Sequence, residues 1–538
     1  SHDIHITYGC EGEEPRLQIC APNTTTAVLS DLRPGMEYTF NLTAVLPNGI
    51  CSKTSSTCIQ TRTSLDELVS DLGLEHHLKN KLTLSKVLEI DGETLTDESI
   101  QSLKSLPWCF LRRLMMVNVT ARSVRCASKQ DMTSQNLDSL MDTLCNPQGH
   151  SNRVNPLDLI TAVFLCSDGF LQQEMVLKMS MCQFSVPLLL PKCDTQQCTL
   201  MLWAMRDIVK KYKPHSLEDQ RGFVEESIVL SELPMISFVR LGNSSLSKSH
   251  ILNQLLSNPQ QHHDTFVHRN MECGDTTRRI SNGLVEISWY LPSGKRNIDI
   301  FSEPLAIANL RGDLRDFETQ YAFLCHNSAA VFVFCDDFGS ECKFLDSQHL
   351  KDHWFLIINS QSKSFNKDDF SRCVSELKLK PSNIIIKGLQ MNDAELIRKL
   401  CLAISGILKG NMLKMSVEGM SAVAHEFGIQ VDEDYIYCQR GKQKADEITG
   451  RISDIPSFKE KELPLQGTAW KQLAKLEKEE CRMKMLGRKT LKFTGMSLQN
   501  RSSSSEHSRG LTTSQSLCPI SSLQCPVPQR SASISSSG

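Results

Sequence analysis

The sequence predicts a multidomain chain: a partial β-sandwich, a helical region, an α/β P-loop domain on a mostly parallel sheet, and a disordered tail. Three observations predict it. The 538 residues are several times the length of one ordinary domain. Their periodicity changes along the chain, from alternation to helical spacing to strands interleaved with helices. A phosphate-loop-like string, Gly242-Asn243-Ser244-Ser245-Leu246-Ser247-Lys248-Ser249, joins an apolar run to a helix.

Composition narrows the function classes. Lys and Arg total 59 against 61 Asp and Glu, a net charge of -2, so no charge excess steers the chain onto nucleic acid or acidic lipid. Apolar residues make up 40% and charged residues 22%, ordinary globular usage that lets most of the chain bury a core. The longest apolar stretches, such as Ala329–Cys335, fall far short of the roughly 20 residues of a membrane span. The 21 cysteines are odd in number, and Cys166, Cys325, Cys335 and Cys401 sit singly in apolar runs, the pattern of buried free thiols. Cys193, Cys198 and His215 lack zinc-ligand spacing. Because the sequence opens Ser1-His2-Asp3, the natural N-terminus is expected to lie upstream.

Residues 1–63 read as β. Asp3–Tyr8 and Tyr38–Val45 alternate and Thr24–Leu29 is β-branched. The turn Leu32–Glu37 before a strand opened by Tyr38 resembles the tyrosine corner of fibronectin type III modules, of which 63 residues are a partial copy. Residues 64–126 turn helical through Leu65, Leu68 and Leu72, then Thr96-Asp97-Glu98 as a cap and Trp108–Met116. A polar linker, 127–135, opens a second helical region, 127–230, in which Asn155-Pro156-Leu157-Asp158 caps one helix and Phe170–Met181 forms another.

The α/β domain is expected over 231–450. Strands are predicted at Ile236–Leu241, Leu284–Leu291, Asn297–Phe301, Leu305–Ala308, Ala329–Cys335, Phe355–Ile358 and Asn383–Ile386. Helices are predicted at Lys248–Leu256, Leu314–Cys325, Asp368–Leu377 and Asp393–Leu408. Pro292-Ser293-Gly294 marks one antiparallel hairpin between Glu286 and Ile300. A charged helical extension, 451–485, precedes a tail, 486–538. With 14 serines among its last 38 residues, the tail cannot offset the entropy of ordering.

The string at 242–249 matches GxxxxGK[ST] except that Ser247 replaces the second glycine. In such a loop backbone amides and the helix dipole hold phosphate, Lys248 meets the β- and γ-phosphates, and the Ser249 hydroxyl binds Mg2+. Serine at position 247 costs roughly 1 kcal/mol if the backbone there is left-handed. Asn309-Leu310-Arg311-Gly312 stands where a second strand would bring an acidic Mg2+ ligand and a γ-phosphate amide, with asparagine in place of aspartate and Asp313 adjacent. Thr277, in Gly274-Asp275-Thr276-Thr277, is the candidate that completes the Mg2+ shell from a switch loop. Lys248 and Thr277 are the candidate catalytic residues. After Ile358 the chain reads Asn359-Ser360-Gln361-Ser362 where guanine readers carry NKxD, and no glutamine follows Gly312, so guanine choice and hydrolysis do not follow from these residues.

Longer strings carry a family resemblance: Asn155–Asp158 through Val186–Pro191, Phe238–Gly242 through Lys248-Ser249, Asn309–Asp313 with Phe317–Gln320, Ala329–Phe334, and Leu476–Cys481. Across about Ser64 to Met485 the chain resembles the very large interferon-inducible GTPases and the related up-regulator of cell proliferation family. Ser247 and Asn309 are similar to that family's own pattern. The resemblance implies a dynamin-related G domain that binds GTP with Mg2+, interferon-linked expression, residence in cytosol and nucleus, and room for homo-oligomerisation through the G domain. It leaves two functions open: a GTP-binding protein that hydrolyses GTP, or a non-hydrolysing scaffold acting through protein contacts. The protein partners are not readable.

Overall fold

The computed structural model describes residues 3–10, 15–21, 26–27, 29, 32, 35–45, 51–89, 102–126, 153–193, 197–219, 222–242, 244–257, 263–338, 354–410, 412–450, 452–462 and 468–482. The expected linker 127–135, the cap Thr96–Glu98, the tail 486–538 and Asn243 lie outside them. The chain divides into two compact units, Ser1–Cys438 and Gln439–Gly538. The second contains helices Ile455–Glu462 and Thr468–Arg482, the latter matching the expected charged helix. Among the described residues no helix is long and apolar enough to cross a membrane.

The first unit opens with β1 (Asp3–Gly9), β2 (Arg16–Cys20), β3 (Glu37–Val45) and β4 (Ser55–Gln60) in one antiparallel sheet of order β2-β1-β3-β4. Alternation puts Ile6, Tyr8, Tyr38 and Phe40 on the buried face, with Tyr8 and Phe40 stacked at 6.0 Å. Among the described residues this is one sheet, not the two of a sandwich, and Thr26, Ala27 and Leu29 are not in a strand. Helix α1 (Ser64–Asp71) follows, started by a reciprocal capping box between Thr63 and Asp66. Helix α2 is Leu106–Met115.

Residues 127–230, expected to be helical, hold four strands among the described residues. After α3 (Pro156–Cys166) and α4 (Gly169–Met181) come β5 (Val186–Pro191), β6 (Cys198–Leu200), and a hairpin of β7 (Val209–Tyr212) and β8 (Val224–Ser227). Proline cannot donate to a ladder, so Pro187 and Pro191 disguise this run as a non-strand in the sequence. The sheet absorbs Pro187 with a register irregularity between Val285 and Glu286 on the neighbouring strand.

The chain then lays down β9 (Met235–Arg240), α5 (Lys248–Leu256), β10 (Val285–Tyr290), β11 (Leu305–Leu310), α6 (Glu318–Asn327), β12 (Ala330–Phe334), β13 (Trp354–Asn359), α7 (Lys367–Glu376), β14 (Ile384–Lys387), α8 (Asp393–Leu408) and β15 (Gln430–Val431). These strands join β5 and β6 in a nine-stranded sheet of order β14-β13-β12-β9-β11-β10-β5-β6-β15. The run β14 to β11 is parallel, β10 and β5 are antiparallel to both neighbours, and β6 is antiparallel to β5 and parallel to β15. The sheet is therefore mixed, and it runs across the division expected at residue 230.

Both faces of the parallel core are covered, which is why its strands read as unbroken apolar runs. Ile236, Phe238, Phe332 and Ile357 meet Leu252, Leu255, Leu396 and Leu400 of α5 and α8. Val239, Val331 and Val333 face the opposite cluster, which holds Phe323 and Leu324 of α6. Phe238, Phe332 and Phe355 stack with centroid spacings of 5.1 and 4.6 Å, locking β9, β12 and β13 together.

One expected strand is absent. Asn297–Phe301 stays outside the sheet, and the antiparallel partner of β10 is β11, with Glu286 opposite Asn309. Its backbone is claimed locally: the Tyr290 hydroxyl accepts from Ile300 N at 2.6 Å, and the Asp299 carboxylate accepts from the amides of Ser293 and Lys295. Cys166, Cys325 and Cys335 are buried free thiols, as expected, and Cys401 is a half-buried one.

Candidate functional site

Strand β9 has β12 on one side and β11 on the other, so the crossovers diverge at its C-terminal end. Such a switch point opens a crevice where α/β sheets bind ligands. The loop 242–249 emerges there. Gly242 has φ +63°, which suits glycine. Ser247 has φ -80° and ψ 94°, a conformation open to any residue, so the glycine it replaces was not needed for a left-handed turn and the expected strain is absent.

Carboxylates pin this loop from two sides. Asp313 Oδ2 accepts from Gly242 N at 2.8 Å and also holds Arg315. Burial opposes its charge, but the hydrogen bonds from Arg315 and Gly242 keep its carboxyl below the usual range. Fully buried Asp336 accepts from both Ser245 N and Ser245 Oγ at 2.7 Å, and its other oxygen accepts from Asn359 N at 3.0 Å. Asn359 Nδ2 donates to Ser245 Oγ at 2.8 Å. Asn359, expected at a base-reading position, thus ties β13 to the loop 242–249.

Asp313 and Asp336 therefore occupy two loop amides, which leaves Ser247, Lys248 and Ser249, at the start of α5, to face a ligand. The first amides of a helix have no acceptor within it. These residues, with Ser244 and Leu246, line a polar cavity of about 180 Å3 closed on its far side by Leu310, Arg311 and Gly312. Gly312 has φ +92°, and a Cβ there would lie 2.5 Å from the Phe317 ring, so this position is reserved for glycine.

The cavity wall is cationic. Arg240, Lys248, Arg269, Arg278 and Arg311 line it, and among the described residues no Asp or Glu does. Lys248 Nζ is buried and donates to Leu310 O and, at 3.2 Å, to Phe238 O, the carbonyls at the ends of two parallel strands. Burial first, then Arg311, Arg240 and Arg278, hold its ammonium well below the ordinary 10.5. Burial, with Arg311 and Arg240, also pushes the half-buried Arg278 guanidinium down to about 10.

Behind this wall Asn309 and Arg311 share Glu286. Glu286 Oε2 accepts from Arg311 Nε and from Asn309 Nδ2, while Ser185 Oγ donates to its other oxygen at 2.6 Å. Both Arg311 Nη1, at 2.6 Å, and Asn309 Nδ2, at 3.3 Å, donate to Ser249 Oγ. Thr277, the other expected Mg2+ ligand, is exposed and absent from the cavity lining. Its loop is braced from α3: buried Asp158 accepts from the amides of Arg279, Ile280 and Ser281, and Asn155 Nδ2 donates to Thr276 O at 2.7 Å.

Sequence reasoning placed Gly242, Lys248, Ser249, Asn309 and Gly312 at one strand edge, and the structure brings them together. Asn243 lies outside the described residues. It missed Arg240, Arg278, Arg311, Glu286 and Asp336. The signal available for two of them was a basic residue at the last turn of a predicted parallel strand, as in Phe238-Val239-Arg240 and Asn309-Leu310-Arg311.

Known proteins and family models match this sequence. The up-regulator of cell proliferation-like domain matches residues 154–449, and the N-terminal domain of the same family matches residues 65–139. The up-regulator of cell proliferation of Bos taurus is 36% identical over 79% of this chain and 49% of its own length. The human caspase recruitment domain-containing protein 6 is 37% identical over 63% of this chain and 34% of its own. Human interferon-induced very large GTPase 1, a more distant relative, is 27% identical over 79% of this chain and 18% of its own. The chain spans about half the length of the up-regulator of cell proliferation relatives it matches. The resemblance read from Asn155–Pro191, the phosphate loop and Asn309–Gly312 is borne out: the chain belongs to the up-regulator of cell proliferation-like family.

Proposed function

We propose that the chain binds a guanine nucleotide, with its phosphates in the cavity between Ser247–Ser249 and Leu310–Gly312. The observation that carries this reading is the charge of that cavity: five basic residues line it with no carboxylate among them. Of these only Lys248 and Arg311 are buried; Arg311 is paired with Glu286, whereas Lys248 donates to carbonyls and has no carboxylate partner among the described residues, so a bound anion would relieve its charge. Lys248 can meet phosphate oxygens as a point charge while the start of α5 supplies amides and the positive end of its dipole. Guanine rather than adenine rests on the relatives named as interferon-induced GTPases, not on Asn359. Cytosolic or nuclear residence and assembly through the α/β domain belong to the same reading and rest on the family resemblance. A fibronectin type III-like origin of residues 1–63 belongs to this reading on separate ground, the buried Tyr38 at the start of β3.

A second reading, binding without turnover, is favoured by Asp313. It stands directly after Gly312, where water-orienting GTPases carry glutamine, and its carboxylate is engaged by Arg315 and Gly242. Titration of a fluorescent GTP analogue against wild type and Lys248→Ala tests the first reading: saturable binding that the variant loses supports it, and equal affinity in both defeats it. Phosphate release from GTP separates the two, since the scaffold releases none above the protein-free rate.

A further inference from the structure

Where a phosphate-loop protein holds Mg2+ on its terminal hydroxyl, this chain holds a guanidinium. Ser249 Oγ accepts from Arg311 Nη1 at 2.6 Å and from Asn309 Nδ2 at 3.3 Å, and a hydroxyl has two acceptor lone pairs. No lone pair remains for a metal. Glu286 fixes the sense of the Asn309 amide, because the reversed amide would set two oxygens against each other. Asn309 Oδ1, buried and without a donor, offers one neutral oxygen, whereas Mg2+ takes octahedral oxygen coordination and is normally anchored by carboxylates. The nearby carboxylate, Glu286, is already engaged by Arg311 and Asn309. Thr277 stands outside the cavity lining. The residues present do not fit Mg2+.

They do hold Arg311 rigidly. Its side chain is 5% exposed and forms an ion pair with Glu286, itself 4% exposed. Nη1 also donates to Val267 O at 2.9 Å. Nη2 is buried and has no acceptor among the described residues, although Arg311 lines the cavity beside Lys248. A planar guanidinium with an unmatched N–H, fixed on the wall of an anion cavity, is suited to a phosphate oxygen.

We propose that Arg311 takes the place of Mg2+ as the cation that neutralises the nucleotide's phosphates, so that binding is independent of metal. The inference rests on the nucleotide reading above and specifies its chemistry. The neutral Asn309 follows from it: an aspartate there would compete with Glu286 for Arg311, whereas the amide donates to Glu286 and to Ser249 and leaves the guanidinium in place.

The test is a pair of titrations of wild-type protein with a fluorescent GTP analogue, one in excess Mg2+ and one in excess EDTA. The expected dissociation constants agree within about threefold, and Arg311→Gln, whose amide can still donate to Glu286, weakens binding in EDTA by about tenfold to a hundredfold. Wild-type binding that is more than about tenfold weaker in EDTA overturns the replacement of Mg2+ while leaving the nucleotide reading intact. Absence of binding in both buffers overturns both. Because the wild-type pair decides the matter alone, a failure of Arg311→Gln to fold does not shield the proposal.

Discussion

Two cavities of the first unit bury charge in opposite ways. One, of about 560 Å3, is lined by groups such as Phe170, Met201 and Tyr437, together with the charged residues Lys81, Asp168, Lys192 and Asp432. Burial pushes the Asp432 carboxyl up to about 7, against hydrogen bonds from Trp203 N at 2.7 Å and Ala204 N at 3.0 Å. The other is the cationic cavity of Lys248 and Arg311. Low dielectric disfavours charge in both. Asp432 meets two backbone amides at the start of the helical turn Leu202–Met205, so its partner is the fold itself. Lys248 has no carboxylate partner among the described residues, and in the proposed reading a bound anion supplies the counter-charge. A charge matched internally serves structure; a mismatched cluster indicates a ligand.

Substitutions at the two cavities should therefore differ in kind. Lys248→Ala is expected to reduce nucleotide affinity by about a hundredfold or more, since two charge-assisted phosphate contacts go with it. Without ligand its melting temperature should be no lower than wild type, because a buried cation with a depressed pKa is removed. Gly312→Ala should cost roughly 2–3 kcal/mol of stability by denaturant melts, from φ +92° and the contact with Phe317. Asp432→Ala should cost roughly 1–3 kcal/mol by leaving two amides unmatched, with little effect on nucleotide affinity.

The folded pKa of Asp432 is raised from 3.8 to about 7, so its contribution to stability is fully present below 3.8 and is lost as pH rises through about 7. Melts of wild type should show that slope and Asp432→Ala should lose it. Lys248 has a depressed folded pKa, so its contribution without ligand is present above 10.5 and lost as pH falls through the lowered value. Phosphate reverses this by favouring the ammonium, so binding takes up a proton, and affinity should fall severalfold as pH rises from the lowered value toward 10.5. The smallest effect belongs to Ser247→Gly. With φ -80° and no side-chain cap at that residue, restoring the glycine should change stability by under about 0.5 kcal/mol.

The sequence disclosed what depends on local pattern. α5 and α8 have the predicted bounds, Lys248–Leu256 and Asp393–Leu408, because their apolar stripes are continuous and Asn392 caps the second. β9, β12 and β13 were legible as apolar runs buried on both faces. β5 and β6 were not: Val186–Pro191 carries two prolines, and only neighbours distant in sequence make it a strand. The cationic cavity was half legible. Lys248 and Ser249 lie in a recognisable string, but Arg240, Arg278 and Arg311 are spread over some seventy residues: Arg240 and Arg311 meet because parallel strands end at one edge, and Arg278 joins them from the loop before β10. Position 247 misled for a related reason, since a motif records residue types and not the dihedral angles that make them necessary.

The most direct measurement is thermal melting of wild type and Lys248→Ala, each with and without saturating GTP. An anion cavity completed by nucleotide predicts that GTP raises the wild-type midpoint and leaves the variant unmoved, with the ligand-free variant at least as stable as wild type. A GTP-induced rise of equal size in both proteins, or none in wild type, would contradict it.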